Sequence, residues 1–182
     1  MSGQSVATRY AKAMSLLAKE QSADPEQLYK DAQLLEACFA PQTDLAKLLT
    51  ARTVPQHEKA AMLNKALSGK VHPLWLEFVQ LMLRKHREAN IHNALLLYCE
   101  NHRSEHNIMV VQVETSHPLP ETEQERISQL VANAYNKTVE LHVEIRPNLI
   151  AGLVLIADGK MIDLSVQGQL REARKSLGIL KN

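Results

Sequence analysis

The chain has 182 residues, enough to bury one sizeable core or two small ones. Apolar residues make up 45% and aromatics only 4%; the first figure excludes a disordered chain, and the richness in Leu and Ala leans towards helix. The formal net charge is +1, with 13 Lys/Arg against 11 Asp/Glu in residues 1–106 and 8 against 9 in residues 107–182, so neither half has the basic excess that bulk nucleic-acid binding needs.

The N-terminus MSGQSVATRY has no apolar h-region, no twin-Arg pair and no Arg-rich, acid-poor stretch. Neither export nor an organelle address is expected. The longest apolar run, Leu149–Ala157, is too short to cross a bilayer as a helix. A cytoplasmic protein, or one peripheral to the cytoplasmic side of a bacterial membrane, fits these features. Cys38 and Cys99 are isolated, and two thiols rather than a disulfide are expected.

The first 106 residues read as six short helices. The first covers about Ser5–Lys19. Asp24-Pro25-Glu26-Gln27 is a start signal for the second: an Asp cap, Pro at the first helical position, and Gln three residues after the cap. Leu28, Ala32, Leu35 and Phe39 then form one face, and Pro41 ends it. The third runs from about Thr43 to Ala51. Pro55 opens the fourth, with Ala60, Leu63 and Leu67 inward. Pro73 opens the fifth, to about Glu88. The sixth, about Ile91–Glu105, aligns Ile91, Leu95, Tyr98 and His102.

Near Asn107 the apolar period changes from 3.6 to 2. Met109, Val111 and Val113 alternate with polar or outward positions, as do Val139, Leu141, Val143 and Ile145. Between these strands lies a helix with Ile127, Leu130, Val131 and Ala134. Leu149–Ala157 is apolar throughout, as expected for a strand covered on both faces. Asp158-Gly159 is a hairpin turn, because such a turn needs φ > 0 and Gly adopts it cheaply. A short strand and an amphipathic helix follow, the latter aligning Val166, Leu170, Ala173 and Leu177. The fold class is therefore α+β: an N-terminal six-helix bundle over residues 1–106, then a small β-α-β-β-α domain over residues 107–182.

Two helices have more apolar surface than one core contact needs. The first carries Val6, Tyr10, Ala13 and Leu17 on one stripe and Ala7, Ala11, Met14 and Ala18 on another. In the fifth, only Glu77 and Gln80 are polar between Leu74 and Leu83; Leu74, Phe78, Leu81 and Met82 form one side. Such a helix is either central to its domain or bound to something else. If the second, the groove between the two accepts a partner's amphipathic helix, approached closely over Ala7, Ala11 and Ala13.

Catalytic arrangements are lacking. Cys99-x2-His102-x3-His106 places three potential ligands on one helix face, but no fourth is within sequence reach, and an ordinary helix end is the better reading. Asp158 is explained by the turn, and Asp163 by capping the last helix together with Ser165. There is no phosphate-binding Gly-rich loop. No catalytic residue, cofactor or metal is expected. The stretch Arg84-Lys85-His86-Arg87 with an all-α front half admits one alternative, a helical nucleic-acid-binding regulatory protein, although such a run also suits a helix C-terminus. An enzyme built on the C-terminal Asp residues is a second rival.

Two segments together resemble the ATP synthase delta subunit family, whose mitochondrial member is the oligomycin-sensitivity-conferring protein. One is Arg9-Tyr10-Ala11-Lys12-Ala13. The other contains Ile150-Ala151-Gly152, the Gly159 turn, Ile162-Asp163, and Ser165-Val166 followed by Gly168 and Leu170. The resemblance implies a six-helix N-terminal domain, a C-terminal domain with a mixed sheet, and a non-catalytic role in the peripheral stalk (stator) of F1Fo ATP synthase. In that role the subunit links the F1 head to the membrane sector and resists rotor torque during proton-driven ATP synthesis. It further implies that Tyr10, Ala13, Met14, Phe78, Leu81 and Met82 receive the N-terminal helix of an alpha subunit, with beta as a further contact of the head. Leu164, Val166, Leu170 and Leu177 become candidates for contact with the C-termini of the b subunits. The chain departs from the family's usual pattern at three places. Leu164 stands where Gly is common, Gln167 and Gln169 where basic residues are common, and Lys85-His86-Arg87 where Asn-Gly-Arg is common.

Overall fold

The computed structural model describes residues 3–51, 53–149 and 151–170. The chain divides into two compact units, Met1–His102 and Arg103–Asn182.

The first unit is helical: α1 (Gly3–Glu20), α2 (Pro25–Cys38), α3 (Asp44–Thr50), α4 (Gln56–Leu67), α5 (Pro73–Arg84) and most of α6 (Ile91–Glu105). One buried cluster draws on all six, from Ala7 and Met14 through Leu28, Leu49, Leu63 and Val79 to Leu95. Trp75 is its largest fully buried side chain. Its indole edge-packs against Phe78 and Tyr98, and its N–H donates to the Leu28 carbonyl at 3.0 Å. A buried Trp needs such an acceptor to avoid an unpaired donor.

Local chemistry sets the helix ends. Asp24 caps α2, its carboxylate accepting from Glu26 N–H at 3.0 Å, with Pro25 at the first position. The Gln27 side chain does not complete a capping box. It donates instead to Asp31 Oδ1 at 2.8 Å, while Asp31 Oδ2 accepts from the His72 N–H at the start of α5 at 2.6 Å. Asp31 thus ties α2 to α5, and Gln27 orients it.

The fifth helix ends at Arg84, four residues before the sequence expectation of Glu88. His86 takes a left-handed φ of 51°; its N–H bonds to the Leu83 carbonyl and that of Arg87 to the Met82 carbonyl, both at 2.9 Å. This pairing is a Schellman stop. A short 3-10 turn at Glu88–Asn90 then leads into α6.

The second unit is built on a four-stranded mixed sheet in the order β2-β1-β3-β4, among the described residues. β1 (Ile108–Thr115) and β2 (Thr138–Ile145) are parallel, joined through α7 (Glu121–Tyr135). β3 (Leu153–Ala157) runs antiparallel to both β1 and β4 (Lys160–Asp163). The register places Met109, Val111 and Val113 of β1 beside Val139 and Leu141 of β2 and Leu155 and Ala157 of β3. Ile127 and Val131 of α7 pack against this cluster. Leu130 and Ala134, expected on the same helix face, lie on the wet side; Leu130 is 65% exposed.

The apolar run Leu149–Ala157 does not form one strand. Pro147–Leu149 is a 3-10 turn, and β3 begins only at Leu153. The Asp158-Gly159 turn has φ of 50° and 71°, and pairs Ala157 with Lys160 across two residues. Two successive positive φ values match the right-handed twist of the strands on either side. Residues 166–170 are helical; Ala173 and Leu177 lie outside the described residues.

Candidate functional site

α1 divides its two apolar stripes between different tasks. Ala7, Ala11, Met14 and Ala18 are buried in the core, so Ala7 and Ala11 face inward rather than towards an outside helix. Of the other stripe, Val6 is also buried, whereas Tyr10, Ala13 and Leu17, roughly a sixth to a third of a turn round, stay at the surface. α5 does the same. At about 100° per residue, Leu74, Trp75, Phe78, Met82, Val79 and Leu83 sweep a buried arc of roughly 180°. Leu81, Glu77 and Arg84 sit just beyond its edge.

The two open edges meet in a groove of about 200 Å³ lined by Tyr10, Ala13, Met14 and Leu17 of α1 and by Leu74, Glu77, Phe78, Leu81 and Arg84 of α5. Met14, Leu74 and Phe78 are buried and form its floor. Leu17 (38% exposed) and Leu81 (37%) form apolar walls open to solvent. Tyr10 packs edge-on to Phe78, with ring centroids 6.2 Å apart, and the Arg87 guanidinium lies 5.6 Å from the centre of the Tyr10 ring. An aromatic held from two sides makes a fixed wall, which lowers the entropic cost of docking against it.

Of the six residues assigned to this groove from the sequence, Tyr10, Ala13, Met14, Phe78 and Leu81 line it. Met82 does not: it falls mid-way along the buried arc of α5 and is 0% exposed. Leu17, Leu74, Glu77 and Arg84 also line the groove. The signal for Leu17 was its α1 stripe with Tyr10 and Ala13, and for the other three the α5 spacing 74, 77, 78, 81, 84, a single stripe once the buried arc is known.

In the second unit the signature residues are held by packing and capping. The Ser165 hydroxyl accepts from the Gly168 N–H at 3.0 Å, capping the final helix, and donates to Asp163 Oδ1. Asp163 Oδ1 also accepts the Ser165 N–H at 3.0 Å. A Cβ at Gly168 would stand 2.5 Å from Asp163 Oδ2. Gly152, at φ 89°, lies so near the next chain segment that a Cβ would stand 2.5 Å from the Leu164 carbonyl oxygen. The flanking bonds, Leu164 N–H to Leu153 O at 2.9 Å and Val166 N–H to Ala151 O at 3.0 Å, hold that approach. Gln167, in place of a basic residue, donates to the Asn148 carbonyl at 3.0 Å.

Leu164, Val166 and Leu170 are exposed, at 50%, 39% and 51%. Leu177 lies outside the described residues. Met161 and Ile162 on β4 extend the exposed apolar stretch; Ile162 was read from the sequence only as part of the signature, and Met161 was not singled out. The sheet face that carries Glu114, Glu140 and Glu144, and with them Met161 of β4, is charged: Arg103 bridges both Glu140 oxygens at 3.2 Å, and Arg146 reaches Glu114 at 3.0 Å and Glu144 at 3.2 Å.

Among the described residues there is no group of three or more His, Cys, Asp and Glu placed to hold a metal ion. His102 stacks on Tyr29, with centroids 4.3 Å apart, and Cys99 is buried in the core. No described helix is long and apolar enough to cross a membrane.

The family model for the ATP synthase delta (OSCP) subunit matches residues 6–177. ATP synthase subunit delta of Carboxydothermus hydrogenoformans is 29% identical over 177 residues, covering 97% of this chain and 99% of its own. That of Synechococcus elongatus is 28% identical over 169 residues, covering 92% and 93%. A chain of the Toxoplasma gondii mitochondrial ATP synthase hexamer shares the fold, with a TM-score of 0.68 at 17% identity over 97% of this chain and 98% of that one. With both signature segments inside the matched span, the chain belongs to the ATP synthase delta (OSCP) subunit family, a structural stalk subunit of the synthase and not a catalytic one.

Proposed function

We propose that this subunit joins the F1 head to the membrane sector on the cytoplasmic face of a bacterial membrane, with each part of the chain holding a different partner. Residues 1–106, as a six-helix bundle, hold the N-terminal helix of an alpha subunit in the α1–α5 groove, with beta as a further contact of the head. Residues 107–182 hold the C-termini of the b subunits, with Leu164, Val166, Leu170 and Leu177 as candidate contacts. A tie of this kind keeps the head from turning with the central rotor, so that proton flow can drive synthesis.

The observation that carries the reading is the open groove with Leu17 and Leu81 on its walls. Exposed leucines facing one another across a cleft are what an amphipathic helix covers. Attachment that withstands torque is best made by buried apolar anchors, since exposed ion pairs contribute only about 0–1 kcal/mol each.

Leu81→Asp tests it by calorimetric titration with a peptide of the alpha N-terminal segment. Losing one leucine anchor of about 1.5–3 kcal/mol predicts affinity weaker by about tenfold or more. Unchanged affinity, with the fold intact by circular dichroism, would remove the groove assignment.

A further inference from the structure

The groove carries two charges, and their placement is uneven. Glu77 and Arg84 are exposed on the lining of α5, one heptad apart, about 10 Å along the helix axis. Among the described residues neither is engaged in an ion pair or side-chain hydrogen bond. Arg87, over Tyr10, adds positive charge at the Arg84 end. The α1 lining of Tyr10, Ala13, Met14 and Leu17 adds none. One end of the groove is therefore acidic and the other basic.

The dipole of α5 favours an acid near its start and a base near its end. It does not choose the face. Both charges lie on the groove side, while the part-exposed positions beyond it, Leu76 and Gln80, are uncharged.

We infer that the groove's occupant is an amphipathic helix running antiparallel to α5. An acidic residue in its first turns lies over Arg84, and a basic residue about seven positions later lies over Glu77. The inference rests on the reading of the groove as a helix-docking site and adds the direction and charge order of the helix. An acid-first, base-last order is also the one a helix's own dipole prefers, so the direction that suits the groove suits the ligand. The parallel direction would set acid against Glu77 and base against Arg84. From Leu74 to Arg84 the lining spans about 15 Å, or roughly three turns. Such rim charges govern orientation and association rate more than total affinity.

The test uses two peptides of equal composition with the same apolar face, one Glu-first with Lys seven residues later, the other inverted. The full-length wild-type chain is expected to bind the Glu-first peptide about fivefold tighter at low salt, with the gap closing as salt is raised. The Glu77→Lys/Arg84→Glu variant is expected to prefer the inverted peptide, an inversion that the peptides' own helicity cannot produce. A nitroxide on the N-terminus of the Glu-first peptide should broaden the amide signals of Arg84 and Lys85 and spare those of Leu74 and Trp75. Equal binding of both peptides, no inversion, or the opposite broadening overturns the direction and leaves the docking site standing if Leu81→Asp still weakens binding by about tenfold or more. Binding of neither peptide overturns the docking site and the direction together.

Discussion

Replacing Gly152 with Ala isolates what the signature glycine does. Two costs are separable. The first is conformational: an L side chain at φ 89° is strained, by about 1–2 kcal/mol. The second is steric: the new Cβ would stand 2.5 Å from Leu164 O and 2.8 Å from Ser165 Cα, both backbone atoms that no side-chain rotation can move. Overpacking against fixed backbone costs about 1–3 kcal/mol. Gly159 is the internal control. Its φ is 71°, and a Cβ there meets nothing within 4 Å. Gly159→Ala is therefore expected to cost about 1–2 kcal/mol, and Gly152→Ala about 2–5 kcal/mol.

The single tryptophan, Trp75, lies in the first unit, so its fluorescence does not follow the second. The assay is native-state amide exchange in β1 and β3, which reads the stability of the sheet itself. If Gly152→Ala costs no more than Gly159→Ala, the close approach of 151–152 to 164–166 is not a constraint, and the account of the signature as packing is wrong.

Two further substitutions probe the first unit. His86 occupies the left-handed stop of α5, so His86→Gly should stabilise that unit by about 0.5–1 kcal/mol, seen as a later urea midpoint of Trp75 fluorescence; no shift would mean the strain is not there. Lys59 is buried, donates to the Leu49 carbonyl and lies 3.9 Å from Glu88, whose Oε2 is buried without a partner among the described residues. Lys59→Met should cost about 1–3 kcal/mol by the same probe, and Lys59→Met/Glu88→Leu should cost less than the single change; a fully additive double variant would show the two groups are not coupled.

Where apolar spacing and end signals agree, the sequence is easily read. Ile91, Leu95, Tyr98 and His102 are all buried on α6, whose bounds match the expected ones. The end of α5 was hidden because its stop is a histidine in a conformation that sequence rules assign to glycine. Leu149–Ala157 read as one long strand because hydrophobicity alone cannot register Gly152, where a distant segment crosses the backbone. On α7, Leu130 fits a helical spacing as well as Ile127 and Val131 do; which of them faces the sheet depends on the docking angle, not on the period. Gln27 had the spacing of a capping box, but Asp31 competes for its amide.

The same limit explains the groove. A helix apolar on all sides poses a choice between being central and being bound, and α5 meets both descriptions. Its buried arc is filled by Leu74, Trp75, Phe78, Val79, Met82 and Leu83, and among the described residues no neighbouring helix of the unit closes over the edge where Leu81 faces Leu17. The sequence lists Leu81 and Met82 side by side as equals; 100° of rotation makes one a wall of the groove and the other part of the core. That rotation is what lets binding be separated from folding. A charge at Met82 would be buried without a partner and would cost the fold several kcal/mol. A charge at Leu81 stays within reach of water, so its effect falls on whatever covers the groove. Substitutions at Leu81 and Leu17 therefore report on docking, and those at Met82, Trp75 and Val79 report on stability. A Leu81→Asp variant that unfolded would show that this edge of α5 is core after all.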